Sequence, residues 1–586
     1  MFHTILEHRL QNAVATVLPG AETTSVLVRP AADPKFGDYQ TNALMALARD
    51  RKINPRQLAA DVVARLDVAD LCHPVEIAGP GFLNFRILPA ALSRVLGEAL
   101  RGNHLFFEPS PHPRTVVVDF SSPNVAKPMH VGHIRSTILG DCLARVLRLL
   151  GHRVITDNHI GDWGTQFGLL LVGWKSLLDR EALERDAIAE LERLYRAVNA
   201  RADQDPSVRE EARAELVRLQ SGDAANLAIW AEMIRLSKVH FEGVYTRLGV
   251  TFDHTLGESF YNPWLRPVVD ALVDGGIARE SEGAIAIFSD RSGPPKEDPF
   301  LIQRDGEWTD NPALVLKSDG GFNYTTTDLA TLDYRIRTWA PSEIVYVTDG
   351  RQQLHFQQVF AAFRRWKPRD AASVRLAHVW FGSILGDDGK PFKTRSGETV
   401  KLGALLDEAE ERALAVVREK RPDLAEAAQR EIARVVGLGS VKYQDLLPNR
   451  QSDYVFSWDK MLALQGNTAP YLQYQYTRAA KVVRDGDFEP ASGMGISPVE
   501  PAELALARHL VNFGNVLVSV TEEYRPNYLC NYLYELAGYF SGFYEACPVL
   551  KSEGAVRSSR LGLCELTARV LGQGLSCLGI EVTAQM

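Results

Sequence analysis

The sequence predicts an α/β chain, with an N-terminal α+β segment, a central domain on an open parallel sheet carrying a helical insertion, and a C-terminal all-helical bundle. Three observations carry this reading. The run TVVVDF (Thr115–Phe120) is continuously β-branched or apolar, as strands covered on both faces are. From about residue 109 to 405, such runs (HRVITD, AIAIFS, EIVYVTD, VRLAHVWFG) alternate with helical segments, the pattern of a parallel sheet with crossover helices. Beyond about 405, strand signals cease and helical periodicity continues to the end.

Residues 1–108 mix helical patterns with short apolar stretches, among them FGDYQTNALMALAR (Phe36–Arg49) and the Gly/Pro-punctuated EIAGPGFLNFRI (Glu76–Ile87). The Pro-rich EPSPHPR (Glu108–Arg114) reads as a linker into the first strand of the central domain, residues 109–405. Within that domain the stretch from about 175 to 250 is charge-dense and helix-periodic without strand signals, as in ALERDAIAELERLYRAVNAR, and is expected to be a helical insertion. Residues 406–586 form the predicted helical bundle.

Composition narrows the function classes. Of 586 residues, 46% are hydrophobic and 24% charged, which excludes a disordered or collagenous chain. The uncharged apolar runs fall short of the roughly 20 residues that span a bilayer, and MFHTILEHRLQNAVATV lacks the layout of a signal peptide, so no membrane role is expected. Six cysteines without a C-x-x-C pair suit a reducing cytoplasm and indicate no metal site. With 65 basic against 73 acidic side chains the net charge is −8, which argues against non-specific DNA coating but leaves a structured RNA partner open, since local patches set that field.

The most informative segment is VVVDFSSPNVAKPMHVGHIRSTILGDCLARVLRLLG: a strand, a polar loop, then a helix from about Val131 ending near Gly151. His130 and His133 fall on one face at the helix start, with Gly132 between them. A helix N-terminus behind the first strand of such a sheet binds anions, and two imidazoles there can donate to a phosphate as its charge rises. The bland alternative is a satisfied structural pair of histidines. Asn124 and Lys127 at the same mouth favour the functional reading.

SSPNVAKPMHVGH resembles the signature of class I aminoacyl-tRNA synthetases in the form found in arginyl-tRNA synthetases, HVGH matching the family's HIGH motif. NHIGDWGTQFG (Asn158–Gly168), ESFY (Glu258–Tyr261), NYTTTDLAT (Asn323–Thr331), VTDGRQQLHF (Val347–Phe356), FKTRSGETVKL (Phe392–Leu402), QGNTAPYLQYQYTR (Gln465–Arg478) and YLYELAGYFSGFYEACPVL (Tyr532–Leu550) resemble arginyl-enzyme segments in the same order. The resemblance spans nearly the whole chain and is weakest over residues 170–250. HIGD (His159–Asp162) lacks the second histidine and is not a second copy.

The resemblance implies a Rossmann-like catalytic domain, an N-terminal domain that contacts tRNA and a C-terminal anticodon-binding domain. It implies ATP-dependent activation of L-arginine to arginyl-adenylate, then transfer to the terminal adenosine of tRNA(Arg), by a cytoplasmic monomer. Magnesium would accompany ATP, with no protein-held metal. The ATP site would run through Pro123, Asn124, Val125, Ala126, Lys127, Pro128, Met129, His130, Val131, Gly132 and His133, with His130, His133, Lys127 and Lys393 catalytic. Lys393 belongs to GKPFKTRSG, a degenerate form of the family's KMSK loop in which Pro391 and Thr394 stand where the two lysines would be; Lys127 is expected to replace the missing charge, and Lys390, Lys393 and Arg395 keep the loop cationic. A solvated turn is the bland reading of that loop.

For the amino acid, the resemblance assigns the guanidinium to Tyr324 and Asp328, and the α-ammonium and α-carboxylate to Asn124, Asn158 and Gln352. A permanently charged planar fork requires a carboxylate in bidentate geometry. Asp328 could instead be a carboxylate stabilising a helix start, in which case Asp157 or Asp162 would be the next acids, and each amide could be an ordinary loop residue. In the C-terminal part, Tyr471, Tyr474 and Tyr476 beside Arg478, Lys481 and Arg484 suit base stacking with phosphate contacts, or else a tyrosine-lined core. Two rival functions are a small-molecule adenylyltransferase, which the residues outside the sheet domain disfavour, and a non-catalytic RNA-binding relative, which His130, His133, Lys127, Tyr324 and Asp328 disfavour.

Overall fold

The computed structural model describes residues 2–31, 33–392, 400–490 and 495–586. The chain divides into two compact units, one formed by Met1–Ser110 with Leu462–Met586 and the other by Pro111–Met461. The first division falls inside the segment read as a linker.

In the larger unit, strand β1 (Thr115–Asp119) leads through a loop to helix α1 (Val131–Leu149) and strand β2 (Arg153–Asp157). Helices then run through the expected insertion, among them α2 (Ala187–Gln204) and α3 (Ala224–Leu248). The sheet resumes after α4 (Tyr324–Trp339) with β3 (Glu343–Tyr346), α5 (Gln353–Trp366) and β4 (Arg375–His378). The strand order is β4-β3-β1-β2 and every pairing is parallel. Val117, Ile155 and Ile344 are buried together with Leu329 and Leu332 of α4 and Phe356 and Phe363 of α5. Because β1 is followed by β2 on one side and by β3 on the other, the topological switch lies between β1 and β3, the place where open sheets of this kind bind ligands outside the carboxyl ends. The register brings Asp157, Asp119, Tyr346 and His378 into one row at that edge.

Two expectations are corrected. AIAIFS is not a strand of the parallel sheet: Ala284–Ile287 pairs antiparallel with Ala278–Ser281 and with Ala313–Leu316 in a separate three-stranded sheet. The reason is local. Glu282 and Gly283 both take positive φ (54° and 77°) and fold the chain into a two-residue hairpin, which leaves no room for a crossover helix. The larger unit also continues past residue 405, to Met461. Helices α6 (Leu402–Lys420) and α7 (Glu426–Leu446) are tied to the sheet domain by polar contacts that composition does not reveal. Arg135 of α1 is buried against Asp445 of α7 at 3.0 Å, and its Nη1 donates to the carbonyls of Gly382 and Ser452. Lys442 donates to the Leu248 carbonyl, and Arg247 pairs with Asp407 and Glu410. Loss of strand signal marks the end of the sheet, not of the unit.

In the other unit, Arg29–Pro30, Tyr39–Thr41, Phe82–Phe85 and Glu76–Ala78 form an antiparallel sheet in that order. The last segments are helical, from Ala469–Asp485 to Gly554–Cys577. The FGDYQTN segment joins the two ends of the chain: Tyr39 is buried and donates its hydroxyl to Asn512 Oδ1 at 2.9 Å, and Asp38 pairs with Arg508. Pro501–Glu523 is long and apolar enough by composition to cross a membrane, but half of it is buried within the protein and it comprises two helices, Pro501–Leu510 and Phe513–Glu523.

Replacing Asp445 by Ala leaves the buried Arg135 guanidinium without its carboxylate. A loss of about 3–5 kcal/mol in the stability of this unit is expected, read as a shift of the urea midpoint.

Candidate active site

The loop after β1 is held in a conformation that its residues do not favour. Ser121, Ser122 and Ala126 have φ of 75°, 50° and 62°, the left-handed region, which is disfavoured by roughly 1–2 kcal/mol for residues with a Cβ. Each is fixed by a neighbour. Ser121 N–H donates to Ser136 Oγ and its hydroxyl meets Tyr245 Oη, both at 2.8 Å; Ser122 N–H donates to Asn158 Oδ1 at 3.0 Å; Ala126 N–H donates to Ser237 Oγ at 2.9 Å. Tyr245 and Ser237 lie on α3, so the insertion's last helix clamps the loop. Asn158, expected on the substrate's α-groups, is buried beneath this loop instead, its NH2 donating to Tyr245 Oη.

Asn124 is exposed and paired with Gly161 through a parallel bridge: Val125 N–H donates to the Gly161 carbonyl at 3.0 Å, and Gly161 N–H to that of Pro123 at 3.1 Å. A Cβ on Gly161 would stand 2.3 Å from Asn124 Oδ1, which explains the glycine of HIGD. Lys127 is exposed, its Nζ over the Tyr195 ring of α2.

His130 is the N-cap of α1. Its Nδ1 accepts from Gly132 N–H, and His133 Nδ1 accepts from His130 N–H, both at 3.1 Å, with ring centroids 4.0 Å apart. An Nδ1 that accepts cannot carry the proton, so each neutral ring is protonated on Nε2. Burial lowers both pKa values; for His130 the Lys127 and Arg351 charges add to it, and for His133, held down to about 3, the neighbouring ring does. The pair is therefore structural through Nδ1 and leaves two Nε2–H donors at the helix start. Gly132 serves the pair too, because a Cβ there would come 2.9 Å from the His130 ring. The chain returns to this point after the cationic loop, where Val131 N–H donates to the Val400 carbonyl and Leu402 N–H to that of Met129. Lys390 is exposed; Lys393, Thr394 and Arg395 lie outside the described residues.

Tyr324 and Asp328 share a face at the start of α4, as expected. Tyr324 is 60% exposed. The helix start is already capped by Asn323, whose side chain accepts from Tyr324 N–H at 2.8 Å, so Asp328 is not needed as a cap. Instead Asp328 Oδ2 meets His355 Nε2 at 2.5 Å, and the imidazole stands edge-on to the Tyr324 ring at 4.6 Å. Gln352 is exposed at the start of α5, three residues before His355. The alternative acids are engaged elsewhere: Asp157 with Arg335 at 2.8 Å, and Asp162 with Ser259 N–H and Oγ at 2.8 and 2.7 Å. The acid that sequence reasoning missed is Glu258. Burial pushes its carboxyl up to about 7; His159 opposes the shift, and Asp328 and Asp162 add to it. Both His355 and Glu258 lie in quoted motifs, VTDGRQQLHF and ESFY, the only signal that could have found them.

The expected RNA-facing residues divide. Tyr474 is exposed, whereas Arg478 stacks on Tyr544, Lys481 pairs with Asp485, and Arg484 donates to the Ala584 carbonyl. In the N-terminal segment, Asp38 and Tyr39 are anchors of the fold, and Phe36 is the exposed aromatic.

A parallel sheet with a histidine-bearing helix start after its first strand, beside an acid-bearing helix across the switch point, defines a class I aminoacyl-tRNA synthetase. Residues 96–458 match the family of class I (R) tRNA synthetase catalytic domains, residues 472–586 the DALR anticodon binding domain, and residues 4–87 the arginyl tRNA synthetase N terminal domain. The chain is 47% identical to the arginine–tRNA ligase of Chromobacterium violaceum, over all of both chains, and 47% identical to that of Laribacter hongkongensis over 98% of each. Its fold is similar to the arginyl-tRNA synthetase of Thermus thermophilus, with a TM-score of 0.83 at 26% identity over the full length of both chains. The chain belongs to the arginyl-tRNA synthetase family.

Replacing His133 by Ala is expected to slow adenylate formation roughly 10²–10³-fold while moving the arginine KM only slightly, because such a donor acts mainly in the transition state. Single-turnover kinetics with tRNA present checks this. His133 also predicts an acid sensitivity. Its folded pKa of about 3 lies below the ordinary 6.5, so the unfolded chain binds more protons between these values. Stability therefore falls as pH drops below 6.5 and is untouched by this group above it, a slope that urea midpoints should show reduced in His133→Ala.

Proposed function

We propose that the described residues carry out arginine activation with a fixed division of labour. The chain is a ligase that activates L-arginine with ATP and transfers it to tRNA(Arg). In this reading the guanidinium lies on Asp328 and Tyr324 with Glu258 nearby, and Asn124 and Gln352 hold the α-groups. ATP lies along Pro123–His133, with magnesium as part of the substrate complex. The arginine carboxylate attacks the α-phosphate and pyrophosphate leaves. The Nε2–H groups of His130 and His133 stabilise the charge that grows on the phosphate oxygens, and Lys127 supplies the cation that the degenerate loop lacks, with Lys390 as a further cation; Lys393, which the resemblance also assigns to catalysis, lies outside the described residues. Asn158 acts from below, by holding Ser122.

The observation that carries this reading is the position of Asp328: half-buried, not needed as a helix cap, and on the same face as Tyr324 opposite the histidine-bearing helix start. No editing step is required, since a carboxylate left unpaired by an uncharged competitor discriminates by about 10⁴–10⁵. In the C-terminal helices the exposed Tyr474, and in the N-terminal segment the exposed Phe36, support contacts with tRNA bases.

The test compares two nearly isosteric variants. Asp328→Asn removes the compensating charge and should weaken arginine by about 2–5 kcal/mol, whereas Tyr324→Phe removes one hydrogen bond, about 1–2 kcal/mol. Aminoacylation kinetics should rank them in that order for arginine with ATP nearly unaffected, and only Asp328→Asn should lose selectivity against citrulline. An Asp328→Asn enzyme that still rejects citrulline as the parent does would remove Asp328 from the guanidinium site.

A further inference from the structure

We propose that His355 is a positioning residue for amino-acid specificity: by donating its Nε2–H to Asp328 Oδ2 it fixes the plane of that carboxylate and leaves Oδ1 and the outer lone pair of Oδ2 to receive the guanidinium. The inference rests on the reading of Asp328 as guanidinium acceptor and extends it to a residue on another helix.

The geometry supports the role in three ways. The Nε2–Oδ2 distance is 2.5 Å, with side chains 14% and 18% exposed, so water competes weakly for the bond. The imidazole cannot swing freely, since its ring packs edge-on against Tyr324 at 4.6 Å and against Phe356 at 5.2 Å. Phe356 in turn is buried against Tyr346 of β3 and His378 of β4, which ties the imidazole to the sheet. An aspartate turns freely about its last side-chain bond unless a partner holds it, and a planar fork is read only by a carboxylate whose plane is fixed. His355 also lies one turn after Gln352, proposed to hold the α-groups, on the first turn of helix α5. One helix turn therefore links the two ends of the amino-acid site, and His355 sets where its guanidinium end stands.

The experiment uses the full chain with tRNA present and measures arginine KM, ATP KM and kcat for His355→Phe, His355→Gln and Asp328→Asn, with melting temperatures. His355→Phe keeps the ring packing without the donor; His355→Gln keeps an amide N–H near the Nε2 position. Loss of a hydrogen bond to a charged group is expected to raise the arginine KM of His355→Phe roughly ten- to a hundredfold, with ATP KM and kcat within about twofold of the parent, and His355→Gln should recover most of the loss. If Asp328→Asn weakens arginine while His355→Phe does not, or if His355→Gln is as impaired as His355→Phe, the proposal is overturned and the reading of Asp328 stands. If Asp328→Asn leaves arginine KM unchanged, the reading itself fails and the proposal with it. Should His355→Phe not fold, His355→Leu replaces it, with the same outcomes deciding.

Discussion

Arg335 is fully buried, and one of its nitrogens, Nη2, lies 2.6 Å from Asp119 Oδ2 and 2.8 Å from Asp157 Oδ2. Two carboxylates at the ends of adjacent strands repel and resist burial; desolvation pushes the Asp119 pKa up and Asp157 adds to it, while the guanidinium and His159 oppose it. Arg335 reconciles them, with the Tyr346 ring against its face at 5.3 Å. The strained loop after β1 begins directly after Asp119, and Asn158, which supports that loop, follows Asp157. Arg335 also stands two turns after Asp328 on α4, so the contact that closes the strand ends orients the helix that carries the proposed guanidinium acceptor. Removing the arginine would leave two buried carboxylates facing each other, a far larger loss than a surface ion pair.

The histidine pair illustrates how one side chain serves fold and chemistry together. The Nδ1 atoms complete a capping box, each accepting one of the backbone N–H groups a helix start leaves unpaired. That same bond fixes the tautomer that puts a proton on Nε2. Burial keeps the rings neutral, so in the proposed reading they donate to an anion without adding charge of their own, and Lys127, exposed nearby, supplies the charge. The insertion has a related double role, because α3 supplies the two hydroxyls that hold Ser121 and Ala126 in the left-handed region. An apparently unrelated run of charged helices thus maintains the loop after β1.

Much of this was legible in the sequence. The strands that pair in parallel were visible as β-branched runs, and Asn124, Lys127, His130 and His133 fall within a single ordered motif, so their proximity needs no tertiary information. Tyr324 and Asp328 share a face because they are four residues apart on one helix. Less was legible where a residue's role depends on a partner distant in sequence. Asn158 has the composition of a ligand and the environment of a support, which only Ser122 and Tyr245 reveal. Glu258 and His355 were passed over because neither stands near Asp328 in the chain.

The sequence by itself determined the fold class, the helical insertion, the histidine-bearing helix start and the family, because each is carried by local periodicity or by an ordered motif. Tertiary structure alone decided that α6 and α7 belong to the catalytic unit, that the AIAIFS strand leaves the parallel sheet, and that Asp328 is held by His355 while Asp157 and Asp162 are already engaged. The physical reason is common to all of these. A hydrogen bond or ion pair in a dry interior depends on distances of a few ångströms between side chains tens or hundreds of residues apart, and local patterning does not encode such distances.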